Sequence, residues 1–207
     1  MKKTLYLILI TSLFISCNNE EMKPTQKDSN LSEQNISKKV VTKVDTSKKT
    51  ISKEYKFTFQ DLENHSTTLH IKDDIYHFSN IRQPIVMIAF FSTWCPPCRG
   101  EIPHLSSLQK KFKKNLFIIS ALVHDDCSDD KLKKFIISQK ARFFIANRQK
   151  ENLKFADFIT PKLNLTKEFP MPLMILFVNG KYFTHYEGLM PEEMIESDIK
   201  QVLQENK

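Results

Sequence analysis

Two cysteines three positions apart, Cys95 and Cys98, constrain the possible folds of this chain more than any other feature of its sequence. They enclose two prolines and stand between a nearly all-apolar run at 85–91 and a stretch at about 98–113 whose apolar residues recur at helical spacing. A short apolar run of this kind is typical of a strand buried on both faces. The sequence therefore predicts a dithiol at a strand-to-helix junction.

The chain from residue 55 onward alternates strand patterns with helix patterns. Alternating residues at 55–59 and apolar residues at 69–71, separated by a polar turn, predict an N-terminal β-hairpin. Further strands are predicted at 116–123, 143–146, 173–178 and 182–186, and helices at 129–139, 151–160 and 191–203. This order predicts one α/β domain with three layers over residues 55–207.

The first 17 residues have the organisation of a secretory signal. Two lysines precede an apolar run that ends at Ser16 and Cys17. The run is too short to span a bilayer comfortably. Aliphatic residues followed by a small residue and Cys17 resemble a bacterial lipobox, which implies that Cys17 becomes lipidated. Phe14 departs from the leucine usual in that motif, so an ordinary cleaved signal is the alternative. Both interpretations predict a domain outside the cytoplasm.

Residues 18–54 contain no aromatic side chain and are rich in Lys, Ser, Thr, Asn, Gln and Glu. Such a segment cannot bury enough apolar surface to offset the loss of chain entropy, which predicts a flexible tether. The net charge of +7 is spread along the chain without a basic cluster. Nucleic-acid binding is therefore not predicted.

Disulfide exchange requires a thiolate that attacks and a second thiol that resolves the mixed disulfide. Cys95 precedes the predicted helix, where free backbone N–H groups and the helix dipole favour a thiolate. Cys98 falls within the first turn, where we expect it to be more buried and ready to attack. Pro96 and Pro97 fix the backbone between them and remove two donors.

The segment 90–103, Phe-Phe-Ser-Thr-Trp-Cys-Pro-Pro-Cys-Arg-Gly-Glu-Ile-Pro, resembles the thioredoxin superfamily and, within it, the membrane-anchored TlpA/ResA group. The resemblance covers about residues 55–207. It implies a thioredoxin-like fold with a central mixed sheet, an N-terminal β-hairpin and an extra central segment. It also implies a cis-proline at Pro172, although Pro170 lies nearby, and peptide binding by the Met171 backbone. The implied substrate-binding residues are Trp94, Pro96, Pro97, Met171 and Pro172.

Glu101 lies one helical turn beyond Cys98, on the same side of the predicted helix. The resemblance implies that this acid faces the dithiol, where it could accept a proton from Cys98 or alter the thiol pKa values. An exposed acid near a helix start is the alternative. Thioredoxins proper carry a buried acid six residues before the first cysteine, and Ala89 occupies that position here. The sequence therefore predicts that Glu101, water or another group manages the proton.

The resemblance implies a disulfide reductase of extracytoplasmic proteins, with apocytochrome c as one substrate and a membrane electron donor of the DsbD/CcdA type. No cofactor or metal beyond the Cys95–Cys98 dithiol is expected. A disulfide oxidase or isomerase is an alternative, as is a non-catalytic lipoprotein that binds a metal or a substrate. His124 and Cys127 could complete a Cys₃His zinc site with the dithiol. We expect instead that Cys127 is an incidental free thiol.

Overall fold

The computed structural model describes residues 53–205, so Cys17, the signal at 1–17 and nearly all of the tether predicted at 18–54 lie outside it. The strands are β1 Glu54–Gln60, β2 Ser66–Lys72, β3 Ile75–Phe78, β4 Ile85–Phe91, β5 Leu116–Leu122, β6 Phe144–Ala146, β7 Leu173–Val178 and β8 Lys181–Glu187. The helices are α1 Pro96–Lys111, α2 Asp129–Gln139, α3 Gln149–Ile159 and α4 Glu192–Glu205, with a 3₁₀ turn at Thr160–Leu163. Within this range, no helix is both long enough and apolar enough to cross a membrane.

The central sheet has five strands in the order β6-β5-β4-β7-β8. β4, β5 and β6 are parallel, whereas β7 is antiparallel to β4 and β8 is antiparallel to β7. All seven residues of β4 are buried, as its apolar sequence predicts for a central strand. The predicted α/β fold with a central mixed sheet is confirmed. The Cys95–Cys98 dithiol therefore follows the carboxyl end of β4, a strand buried along its whole length.

Successive side chains of β4 enter two different layers, because strand side chains alternate between the faces of a sheet. Met87 and Ala89 belong to the apolar cluster that also contains α1 and α4 residues. Ile88 and Phe90 belong to the opposite cluster, which includes Phe155 of α3 and residues of the N-terminal strands. This alternation produces the three predicted layers and anchors α1, which carries the dithiol, on one face.

The N-terminal strands form a separate antiparallel sheet in the order β1-β2-β3. The predicted hairpin is confirmed by the pairing of Phe57 with Leu69, but β3 was not predicted. The Tyr76 N–H of β3 donates to the Gly180 carbonyl at 2.7 Å, linking this sheet to the turn between β7 and β8. A Cβ at Gly180, whose φ is +75°, would lie 3.0 Å from the Tyr76 carbonyl oxygen. The turn therefore requires glycine for both conformation and space.

The helix that carries the dithiol begins at Pro96, two residues before the predicted start. Prolines occupy its first two positions, where the missing N–H groups would have no partner within the helix. Cys95 is the N-cap residue, with an extended backbone. Both prolines therefore belong to the helix, and Cys95 stands just outside it.

Candidate active site

Cys95 and Cys98 form a disulfide at the start of α1. Cys95 Sγ accepts a hydrogen bond from the Cys98 N–H at 3.2 Å, and the sulfur thereby acts as the side-chain cap of the helix. The two residues are 4% and 2% exposed, so the expectation that Cys98 is more buried holds only marginally. The two cysteines differ in their neighbours rather than in exposure: Cys95 Sγ contacts the Cys98 N–H and the Met171 carbonyl, whereas Cys98 lines a buried cavity.

The peptide bond between Met171 and Pro172 is cis, as the resemblance implies. The Met171 carbonyl oxygen lies 3.8 Å from Cys95 Sγ, and Pro172 lines a small cavity together with Cys98. This loop directly precedes β7, which pairs with β4, so the antiparallel pairing brings it beside the end of β4. Strand pairing thus places Met171 and Pro172 beside the disulfide, although they are more than seventy positions away in the sequence.

The predicted substrate-binding residues surround the disulfide. Trp94 is 61% exposed, and its indole Nε1–H donates to the His124 carbonyl at 2.8 Å. Pro96 and Pro97 are exposed, Met171 is half-buried and Pro172 is buried. The exposed indole, held in place by a hydrogen bond, leaves an apolar surface open beside Cys95. Substrate binding by these residues stays a prediction.

Glu101 is 1% exposed, which rules out the alternative of a solvated acid near the helix start. With Cys98, Ala89 and Pro172 it lines a cavity of about 10 Å³. Ala89 stands where thioredoxins carry a carboxyl on the strand, and Glu101 of α1 lines the same cavity as Ala89. The structure thus brings Glu101 and Cys98 to one buried cavity, as the sequence suggested.

Burial raises the pKa of the Glu101 carboxyl above its ordinary value. The Met190 N–H, which donates to Glu101 Oε2 at 2.9 Å, and the neighbouring His104 ring partly oppose this rise. A raised pKa makes the Glu101 carboxyl a stronger proton acceptor than an ordinary carboxyl. No sequence motif indicates a role for His104, because its ring contacts Met190, which lies 86 positions downstream.

Asp125 is a further buried residue that the sequence analysis missed. Its carboxylate accepts hydrogen bonds from the backbone N–H of Thr93 and, at 2.9 Å, of Cys127. Gln149 of α3 in turn binds both the N–H and the carbonyl of Asp125. Because β4 and β5 are parallel, the loops after their carboxyl ends are neighbours. Asp125 therefore ties the loop after β5 to the segment that leads into Cys95.

Cys127 is a partly buried free thiol whose pKa is raised, mainly by burial. Its Sγ lies 3.6 Å from the Ser128 carbonyl oxygen. Among the described residues, one cluster has potential metal ligands within 4.8 Å of one another. It consists of Asp61, Glu63 and His65 and contains no cysteine. No observation therefore favours the Cys₃His zinc site with His124.

Comparison with known proteins agrees with this geometry. The model of the AhpC/TSA family matches residues 56–156. The thiol-disulfide oxidoreductase ResA of Bacillus thuringiensis subsp. konkukian is 28% identical over 119 residues, which cover 56% of this chain and 62% of ResA. The match thus spans about three fifths of that curated relative.

Solved structures share the fold. A thioredoxin-family thiol:disulfide interchange protein from Chlorobium tepidum superimposes with a TM-score of 0.55 at 17% identity, covering 72% of this chain and 93% of that protein. The thioredoxin domain of a thiol-disulfide oxidoreductase from Bacteroides vulgatus gives 0.53 at 23% identity, with coverages of 72% and 94%. The family match, the similarity to ResA and the shared fold together support the resemblance to the TlpA/ResA group of the thioredoxin superfamily.

Proposed function

We propose that the chain is a thiol–disulfide oxidoreductase that acts on protein or peptide disulfides through Cys95 and Cys98. The observation that carries the proposal is the Cys95–Cys98 disulfide at the start of α1, flanked by the cis Met171–Pro172 bond. The exposed indole of Trp94 and the backbone of Met171 border Cys95, where an extended peptide could dock. The names of the ResA relatives point to the same chemistry.

In this mechanism the reduced protein attacks through Cys95. The helix N-terminus and the Cys98 N–H, which contacts Cys95 Sγ, stabilise negative charge on that sulfur. The Cys95 thiolate forms a bond to one sulfur of the substrate disulfide, and the other substrate sulfur leaves as a thiolate. The Cys98 sulfur then attacks Cys95 Sγ, which releases the second substrate sulfur. Two electrons pass to the substrate, and the Cys95–Cys98 disulfide remains.

Glu101 is the proton acceptor for Cys98 in this proposal. The two residues line one buried cavity, which makes them neighbours in the folded protein and supports transfer of the proton between them. Cys98 is a thiol while it waits and a thiolate when it attacks, so its proton must leave during resolution. No metal or organic cofactor is required, because the dithiol carries both electrons.

We propose that electrons flow from the dithiol to extracytoplasmic substrates, with apocytochrome c thiols as one target and a membrane donor of the DsbD/CcdA type restoring the dithiol. We also propose that lipidated Cys17 anchors the protein to a membrane and that the domain faces the periplasm. The resemblance to the TlpA/ResA group supports these assignments. The lipobox-like sequence before Cys17 supports the anchor.

The test combines insulin-disulfide reduction with the reduction potential of the Cys95–Cys98 pair. A reductase predicts turnover and a potential below about −220 mV, whereas a potential near about −120 mV would identify an oxidase. Absence of turnover together with bound metal in the purified protein would favour the non-catalytic alternative. Cys98→Ser should trap mixed disulfides through Cys95. Better trapping by Cys95→Ser would reverse the two roles.

A further inference from the structure

The two carboxylate oxygens of Glu101 have different surroundings. Oε2 accepts the Met190 N–H at 2.9 Å. Oε1 is fully buried and has no hydrogen-bond partner among the described residues. A buried carboxylate with an unsatisfied oxygen is costly unless a positive charge lies nearby. Nδ1 of His104, the nitrogen of a basic side chain, lies 3.7 Å from Oε1.

The contacts of the His104 ring determine which of its nitrogens carries a proton. Nδ1 lies 3.0 Å from the Met190 carbonyl oxygen, and a carbonyl can only accept, so Nδ1 is the donor. The side chain is 34% exposed, so the face of the ring away from Met190 is open to water.

We propose that His104, whose ring lies beside Glu101 and shares the Met190 peptide with it, is the positioning residue that favours the ionised, proton-accepting form of the buried Glu101 carboxyl. The proposal rests on the proposed function, in which Glu101 accepts the proton of Cys98. His104 touches neither sulfur and acts only through Glu101. The Met190 peptide joins the two side chains, since its N–H binds Glu101 and its carbonyl binds His104.

The other charged groups near this pair do not replace His104. Glu192, at the start of α4, is an acid and disfavours ionisation of Glu101. Its own carboxylate is bound by the Ser107 hydroxyl at 2.7 Å and by Lys111 at 3.3 Å. The neighbours of Glu101 in the buried cavity are Cys98 and uncharged residues of β4, β5, β6 and the loop before β7. Among the described residues, His104 is thus the basic side chain whose nitrogen lies within 4.0 Å of a Glu101 carboxylate oxygen.

The contact between Glu101 and His104 should make the rate of the resolving step depend on pH. The Cys98 S–H bond breaks, its proton passes to the Glu101 carboxylate, and the new S–S bond forms as the Cys95–substrate bond breaks. The departing substrate thiolate takes a proton from water, and Glu101 returns its proton to water after turnover. His104 changes the fraction of Glu101 that is ionised before this step, and hence the rate on the acidic side of the pH profile.

The experiment compares the wild type with His104→Gln and His104→Lys in the full-length protein. The glutamine amide can still donate to the Met190 carbonyl but carries no charge, whereas lysine keeps a positive charge. Carboxyl ¹³C NMR follows the titration of Glu101, whose resonance is assigned by its loss in Glu101→Gln. We expect the Glu101 midpoint to rise by about one pH unit in His104→Gln and to stay near the wild-type value in His104→Lys. His77→Gln, at an exposed position of β3, is the matched control.

Insulin reduction is measured alongside as a function of pH. In His104→Gln, the acidic limb should move to higher pH, with a rate loss of up to about tenfold below the Glu101 midpoint, and His104→Lys should restore it. An unchanged Glu101 midpoint in His104→Gln would overturn the inference, as would a raised midpoint in His104→Lys. If the wild type does not reduce insulin at any pH, the proposed function fails, and the carboxyl titration still decides whether His104 controls Glu101.

Discussion

At the scale of single residues, the buried carboxyl of Glu101 should influence both thiols. A negative charge beside a thiol disfavours the thiolate and raises the thiol pKa. Glu101→Gln removes that charge, so the cysteine pKa values of the reduced protein should fall, and the reductase rate should fall if proton transfer limits resolution. Thiolate absorbance in the ultraviolet measures the first effect and stopped-flow exchange the second. Superimposable titrations and equal rates would reduce Glu101 to a structural role.

Glu101 should also make the stability of the protein depend on pH. Burial raises the pKa of its carboxyl in the folded state, so the folded protein binds the proton more tightly than the unfolded chain. The stability that this adds is full below the unfolded pKa and is lost as pH rises through the folded pKa. The free energy of unfolding of Glu101→Gln, relative to wild type, should therefore increase from pH 4 to pH 7 in urea titrations.

Glu63→Gln is the control for that measurement, since Glu63 is exposed. Its difference from the wild type should stay constant over the same pH range. A constant difference for Glu101→Gln as well would mean that the folded and unfolded pKa values of Glu101 are equal.

Cys127 should be dispensable for exchange. Burial raises the pKa of its thiol, which lowers the thiolate fraction near neutral pH. Cys127→Ser should leave the rate of insulin reduction within about twofold, equivalent to less than about 0.5 kcal/mol of barrier. A larger loss would identify Cys127 as a third redox centre and would require a disulfide between it and the dithiol pair.

At the scale of elements, the loop between β5 and α2 should be essential to the shape of the site. Asp125→Ala would leave the partly buried N–H groups of Thr93 and Cys127 without their acceptor. An unsatisfied buried donor costs about 1–3 kcal/mol, so we expect a loss of at least about 1 kcal/mol in urea unfolding. The neighbouring exposed residue offers a matched control, Asp126→Ala, which should be near neutral. Equal stability of the two variants would contradict this role of Asp125.

Two elements, β7 and α2, were predicted with the bounds that the structure shows. β7 and α2 have the predicted bounds because a continuous apolar run and a regular helical spacing both end at turn or capping residues. β3 was not predicted, since four residues are too few to establish an alternation. The start of α1 was placed two residues late because prolines suggest a break, although the first helical turn accepts them.

At the scale of the whole molecule, the sequence predicted the parts of the site that depend on local motifs. The dithiol follows from its own spacing, and the cis bond at Pro172 follows from the resemblance. Asp125 and His104 were missed because their partners come from distant segments. Thr93 meets Asp125 through the pairing of two strands, and His104 meets Met190 through the packing of α4 on α1. Such contacts are set by tertiary structure, which local pattern does not encode.

The last prediction concerns the attachment of the folded domain to a membrane. Cys17 lies outside the described residues, and the case for its lipidation is the short apolar run and the small residue that precede it. Each methylene of an acyl chain buried in a bilayer contributes about 0.8 kcal/mol, so an acylated Cys17 should hold the protein in the detergent phase of a Triton X-114 separation. Cys17→Ala should move it to the aqueous phase or block its processing.

Cys127→Ser provides the matched control for this experiment, because it removes a cysteine from the folded domain and leaves Cys17 in place. It should partition as the wild type does. If Cys17→Ala also stays in the detergent phase with unchanged processing, acylation of Cys17 is not the anchor. A wild type found in the aqueous phase, shortened at its N-terminus, would instead support the ordinary secretory signal. The domain would then act as a diffusing protein, with no tether to keep it near a membrane donor.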